Sequence, residues 1–138
     1  MNIHKYEKQI QRTCADLDSD FDNKLHMALG IATEAGELLD NYKKNLAYGK
    51  SIDTINVIEE MGDCFWYLVN LCRMMQVDPE EVMEINVRKL MVRYPTKFTE
   101  QDANERNLDA EREALEFGKR AIEFGKKLEQ TNNGISEG

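Results

Sequence analysis

Apolar residues return every three or four positions along most of this chain, a period that predicts helices almost throughout. The first amphipathic segment covers about Ile3 to Leu17, with Ile3, Tyr6, Ile10, Cys14 and Leu17 in register. A second runs from about Asn23 to Tyr48 through Leu25, Leu29, Ala32, Leu39, Tyr42 and Leu46, and Gly49 is placed to stop it. A third starts near residues 51–54 and reaches about Gln76. It is the least charged long segment, which predicts a central place in a bundle. Asp78-Pro79-Glu80-Glu81 then reads as an N-cap, a first-turn proline and a capping-box glutamate, opening a fourth helix that Tyr94-Pro95 closes. No segment alternates as a strand with hairpin turns, so the expected fold is an all-α bundle of four or five helices.

Beyond it, residues 96–101 read as a linker, with Thr99 or Asp102 as the cap of a last, highly charged helix. Along that helix Ala110, Ala114, Phe117, Ala121, Phe124 and Leu128 form a narrow seam of coiled-coil spacing. Gly118 and Gly125 lie seven apart within a near-repeat. Each glycine costs about 1 kcal/mol against alanine in a helix interior, which implies close packing or fraying. The expected organisation is a helical domain over 1–98, a C-terminal helix over 99–130 that packs or oligomerises, and a disordered tail over 131–138.

Composition narrows the function. The chain has 138 residues, 26 acidic and 18 basic, for a formal charge of -8. That is one ordinary domain, long enough for a core, and too acidic for a general nucleic-acid backbone binder. A nucleotide stays open as a substrate, because a divalent cation reconciles an acidic pocket with phosphates. Met1-Asn2-Ile3-His4-Lys5 leads straight into a charged amphipathic segment, so no leader is expected. No apolar run reaches spanning length, and no membrane partner is expected. Cys14, Cys64 and Cys72 lack metal-ligand spacing and read as reduced thiols, which suits the cytoplasm.

Two polar seams interrupt the apolar pattern. Glu34-Ala35-Gly36-Glu37 and Glu60-Met61-Gly62-Asp63 each set two carboxylates three residues apart, on one face of a helix. Gly30, Glu34, Glu37, Asn41 and Lys44 continue the first seam; Asn56, Glu60, Asp63, Tyr67 and Asn70 make the second. Four carboxylates in apolar surroundings repel one another and raise each other's pKa unless cations meet them. Oxygen donors favour Mg²⁺, Mn²⁺ or Ca²⁺ over zinc, and no Ca²⁺-binding loop is present. Asn86, Lys89 and Arg93 share a face of the fourth helix, a basic group suited to phosphates. Together these parts suit polyphosphate hydrolysis, with Glu37 or Glu34 taking a proton from water.

Glu-x-x-Glu followed on the next helix by Glu-x-x-Asp, with Asn86-x-x-Lys89-x-x-x-Arg93-Tyr94-Pro95 after it, resembles the MazG-like all-α nucleoside triphosphate pyrophosphohydrolases. That superfamily includes dimeric dUTPases, dCTP pyrophosphatases and phosphoribosyl-ATP pyrophosphohydrolase. The likeness covers about Ala28 to Arg93. It implies Mg²⁺ (with Mn²⁺ as a substitute) on Glu34, Glu37, Glu60 and Asp63, and phosphate contacts from Lys89 and Arg93. It also implies cleavage of a nucleoside triphosphate between the α and β phosphates to a monophosphate and pyrophosphate. A bundle completed by a second copy, as a dimer or tetramer, is implied as well.

Lesser candidates read more plainly. His26 extends the first seam but reads as surface, and Trp66 as core. Asn56, Tyr67 and Asn70 line a pocket or merely satisfy local hydrogen bonds. Two rival functions stand beside the main one: hydrolysis of a specialised metabolite such as phosphoribosyl-ATP, and a non-enzymatic helical adaptor.

Overall fold

The computed structural model describes residues 1–135, with side chains as far as Lys127. The described residues are helical with no strand, as the periodicity predicts. The helices are α1 (Ile3–Ile10), α2 (Asp20–Tyr48), α3 (Thr54–Met74), α4 (Pro79–Arg93), α5 (Glu100–Asn104) and α6 (Leu108–Ile135). A 3₁₀ turn over Gln11–Thr13 follows α1.

Helix ends follow local chemistry. Asn2 Oδ1 accepts from the Lys5 N–H and Ser19 Oγ from the Asp22 N–H, which caps α1 and α2. The expected first helix is therefore shorter than its apolar pattern. Beyond Thr13 the backbone turns extended at Cys14, and Asn23 ties the loop by accepting from the Leu17 N–H. Gly49 takes the left-handed conformation (φ 63°) that ends α2, and its N–H reaches the Asn45 carbonyl. Asp53 caps α3 through the N–H groups of Ile55 and Asn56. Thr99 does cap a helix, but it is the short α5, which begins at the end of the expected linker; Asn107 Oδ1 accepts from the Ala110 N–H at the start of α6.

The chain forms two compact units, Met1–Pro79 and Glu80–Gly138. The division falls in the first turn of α4, between Pro79 and Glu80. In the first unit α2 and α3 pack along each other, and α1 packs on α3. Its fully buried side chains are Met27, Val69 and Asn70, with Ile10, Val57 and Cys72 close behind. One face of α3, expected to take a central place in a bundle, is uncovered within one chain: Ile55, Ile58, Met61, Phe65 and Leu68 are exposed.

In the second unit α4 and α6 are joined by an ionic clasp. Glu111, 4 % exposed, accepts from Arg93 Nε (2.9 Å) and Nη2 (2.6 Å), and from Arg106 Nε (3.2 Å) and Nη2 (2.7 Å). Lys126 Nζ reaches Glu81 at 2.9 Å farther along. Gly118 is buried where α6 meets Ile85; a Cβ there would lie 3.1 Å from Ile85 Cγ1. Close packing thus holds for Gly118 but not for Gly125, where a Cβ would meet nothing within 4 Å. Phe117 and Phe124 of the expected seam are exposed, and the Leu128 side chain lies outside the described residues. Helix α6 continues to Ile135, into the expected tail; residues 136–138 lie outside the described residues.

Candidate metal centre

Helices α2 and α3 bring the two polar seams face to face. Glu34, Glu37 and Glu60 each offer a carboxylate oxygen, and those oxygens lie within 4.8 Å of one another. Glu60 is buried, Glu34 half-buried and Glu37 exposed. Burial first, then the charge of Glu37, a hydrogen bond with Glu60 and the charge of Asp63 push the Glu34 carboxyl above its ordinary range. Asp63, one turn along α3 from Glu60, stands outside the trio yet near enough for its charge to act on Glu34, Tyr67 and Cys64.

A cleft of about 530 Å³ opens beside the trio, walled by Thr33, Glu37, Asp40, Asn41, Asn56 and Glu60. Asn56 Nδ2 donates to Glu60 Oε1 at 2.7 Å, and the Asn56 carbonyl accepts from Asn41 Nδ2. Lys44 also borders the cleft, with its ammonium on Asp40 at 2.5 Å, and Lys43 reaches the same carboxylate at 2.9 Å. Hydrogen bonds from Lys44, then from Lys43, hold the Asp40 carboxyl below its ordinary range.

On the other side of the trio lies an aromatic group. Tyr67 packs edge-on to Trp66 (centroids 4.7 Å, 86°) and to His26 (5.9 Å, 75°). Trp66 is tied down through Nε1, which donates to Thr13 Oγ1 at 2.8 Å, consistent with a packing role. His26 is half-buried rather than plain surface, and its Nδ1 is enclosed without a hydrogen-bond partner. Asn70 is buried, and its amide donates to the Trp66 carbonyl at 3.0 Å, a local bond.

The basic group is placed on α4 of the second unit. Asn86 is exposed, Lys89 half-buried, and Arg93 is held by Glu111. Neither Glu111 nor Arg106 stands out in the sequence as a site residue, since an acidic residue amid a charged helix gives no periodic signal. The fold makes Glu111 the shared partner of Arg93 and Arg106.

The helical hairpin brings together a donor set of carboxylate oxygens, of the kind that could hold a divalent cation. The family model of the MazG nucleotide pyrophosphohydrolase domain matches residues 22–98, more than half of the chain. The chain belongs to that family, a hydrolase family of nucleotide pyrophosphohydrolases. No curated protein and no solved structure matches it significantly. Among the described residues no helix is long and apolar enough to cross a membrane.

Proposed function

We propose that this protein hydrolyses a nucleoside triphosphate (ordinary, deoxy or damaged) between the α and β phosphates, releasing a nucleoside monophosphate and pyrophosphate, with Mg²⁺ as cofactor. The observation that carries this reading is the meeting of Glu34, Glu37 and Glu60 within 4.8 Å in a chain of this family. The donor set fits the ion: hard oxygen ligands, negative charge in excess, and a Glu34 carboxyl that resists ionising without a cation. Glu34, Glu37 and Glu60 would hold Mg²⁺, with Asp63 completing the set from the next turn of α3. When bound, the cation supplies charge neutralisation of the phosphates and acidification of a water.

The chain supplies the rest. Glu37 is both exposed and in the cleft wall, so its carboxylate is the group we assign to take the proton of the attacking water; Glu34 is the more enclosed alternative. Asn86, Lys89 and Arg93 are assigned to the phosphate tail. Arg93 Nε and Nη2 donate to Glu111, which fixes the guanidinium in place.

A second copy of the chain is proposed to cover the open side of the α2–α3 hairpin. Ile31, Leu38, Met61, Phe65 and Leu68 line an almost wholly apolar groove there, and surfaces of that kind mark association.

The test is pyrophosphate release from a panel of NTPs, dNTPs and oxidised nucleotides plus phosphoribosyl-ATP, with Mg²⁺ and with EDTA. Metal-dependent release that falls at least about 100-fold in Glu37→Gln is the expected result. Release confined to phosphoribosyl-ATP would replace the substrate assignment. No release from any substrate by folded, metal-supplied protein would overturn the enzymatic reading.

A further inference from the structure

Glu37 and Glu60 of the acidic trio line the 530 Å³ cleft, and so does Lys44, which carries the only positive charge among its lining residues. Lys44 shares a face of α2 with Glu37 and stands about 10 Å farther along the helix axis. Helical side chains lean toward the N-terminus, which brings the ammonium back toward the trio, onto Asp40 in the turn after Glu37. Lys43 is turned about 100° away on the helix and does not line the cleft. The two lysines nevertheless share one carboxylate: Lys44 Nζ meets Asp40 Oδ2 at 2.5 Å and Lys43 Nζ meets Oδ1 at 2.9 Å.

That sharing makes Lys44 free to change partners. Both lysines are exposed, and exposed ion pairs contribute little to stability. If Lys44 turns to another anion, Asp40 keeps Lys43 and is not left unpaired. A phosphate carries more charge than a carboxylate and offers more acceptor oxygens, and charge-assisted hydrogen bonds to it are the stronger ones. We propose that Lys44 is a substrate-binding residue that exchanges Asp40 for the phosphate tail of a nucleotide seated at the trio. The contact comes from the α2–α3 hairpin itself. It deepens the function proposed above and rests on its placing of the phosphates at the trio.

The test is calorimetric titration of the full chain, in MgCl₂, with inorganic pyrophosphate, for wild type, Lys44→Ala and Lys43→Ala. Each variant removes one lysine from Asp40, so an effect that passes through Asp40 is common to both. The expected result is a pyrophosphate affinity lowered by about 10-fold or more in Lys44→Ala and little changed in Lys43→Ala. Circular dichroism checks the fold of each variant, and if Lys44→Ala does not fold, Lys44→Gln is read in its place. Equal affinity in all three proteins, or equal loss in the two variants, overturns the contact. A wild type that binds no pyrophosphate overturns it as well. The readout needs no turnover: pyrophosphate held through Lys44 by a protein that hydrolyses no nucleotide would overturn the function proposed above and leave this contact standing.

Discussion

The ring of Tyr67 occupies the space where a side chain at Gly30 would stand: a Cβ built on Gly30 would lie 2.1 Å from Tyr67 Cε1 and 2.2 Å from Cδ1. No real Cβ makes such a contact, and the obstacle is a ring packed against His26 and Trp66. Gly30 thus sets how closely α2 approaches α3 one turn before Glu34.

Gly30→Ala is expected to destabilise the fold by about 1–3 kcal/mol through overpacking, even though alanine is the better helix former. Gly36→Ala, where a Cβ would meet nothing within 4 Å, is expected to stabilise by up to about 1 kcal/mol. Urea unfolding of both variants checks the contrast. Equal midpoints would show that Tyr67 moves aside freely.

A pH signature should follow from Glu34. Its folded carboxyl titrates above the ordinary 4.5, so ionisation costs stability above the folded pKa, and that cost is relieved as the pH falls through it. In EDTA the melting temperature should therefore gain from Glu34 as the pH falls through its folded pKa toward 4.5. Glu34→Gln should raise the neutral-pH melting temperature in EDTA and flatten that gain. Mg²⁺ should stabilise wild type at neutral pH and have little effect on Glu34→Gln. Differential scanning calorimetry across pH, with and without Mg²⁺, reads all three.

Glu111 should behave in the opposite sense. Hydrogen bonds from Arg93, then from Arg106, hold its carboxyl far below the usual carboxylate range. Its contribution is complete above the unfolded value of 4.5 and is lost as the pH falls from there toward the folded one. Glu111→Gln leaves two guanidinium groups facing a neutral amide. We expect a lower unfolding midpoint at neutral pH and a shallower loss of stability below pH 4.5 than in wild type. A midpoint that does not move would mean the clasp adds nothing to the second unit.

The apolar side of the hairpin yields a test of assembly. Phe65 is 55 % exposed and Met61 48 %, side by side with Leu68 on α3. Phe65→Glu is expected to reduce the mass in light scattering from a dimer or tetramer to a monomer, while Phe117→Glu on α6 tests the second exposed seam. A wild-type protein that is already monomeric at micromolar concentration would remove the second copy from the account.

The all-α fold and the partnership of α2 with α3 were legible because amphipathic periods report directly on which faces are buried. The two carboxylate pairs were legible for the same reason: a spacing of three puts each pair on one face of its own helix. Helix ends were readable where a residue has one use, as with Gly49 at the end of α2 and Pro79 at the start of α4. The extended turn after Thr13 and the short α5 have no such mark, since their residues suit a helix as well as a loop.

Pattern alone therefore determined the fold class, the helical hairpin and the acidic pairs at Glu34, Glu37, Glu60 and Asp63. Only the tertiary structure decided which of those carboxylates converge, that Asn56 donates to Glu60, and that Glu111 engages Arg93. The reason is physical. Periodicity assigns a residue to a face of its own helix, whereas the depth, rotation and side-chain rotamers at which two faces meet depend on contacts between residues far apart in sequence. Gly30 illustrates the division: its place on the seam was visible in the chain, but the ring of Tyr67 that requires a glycine there was not.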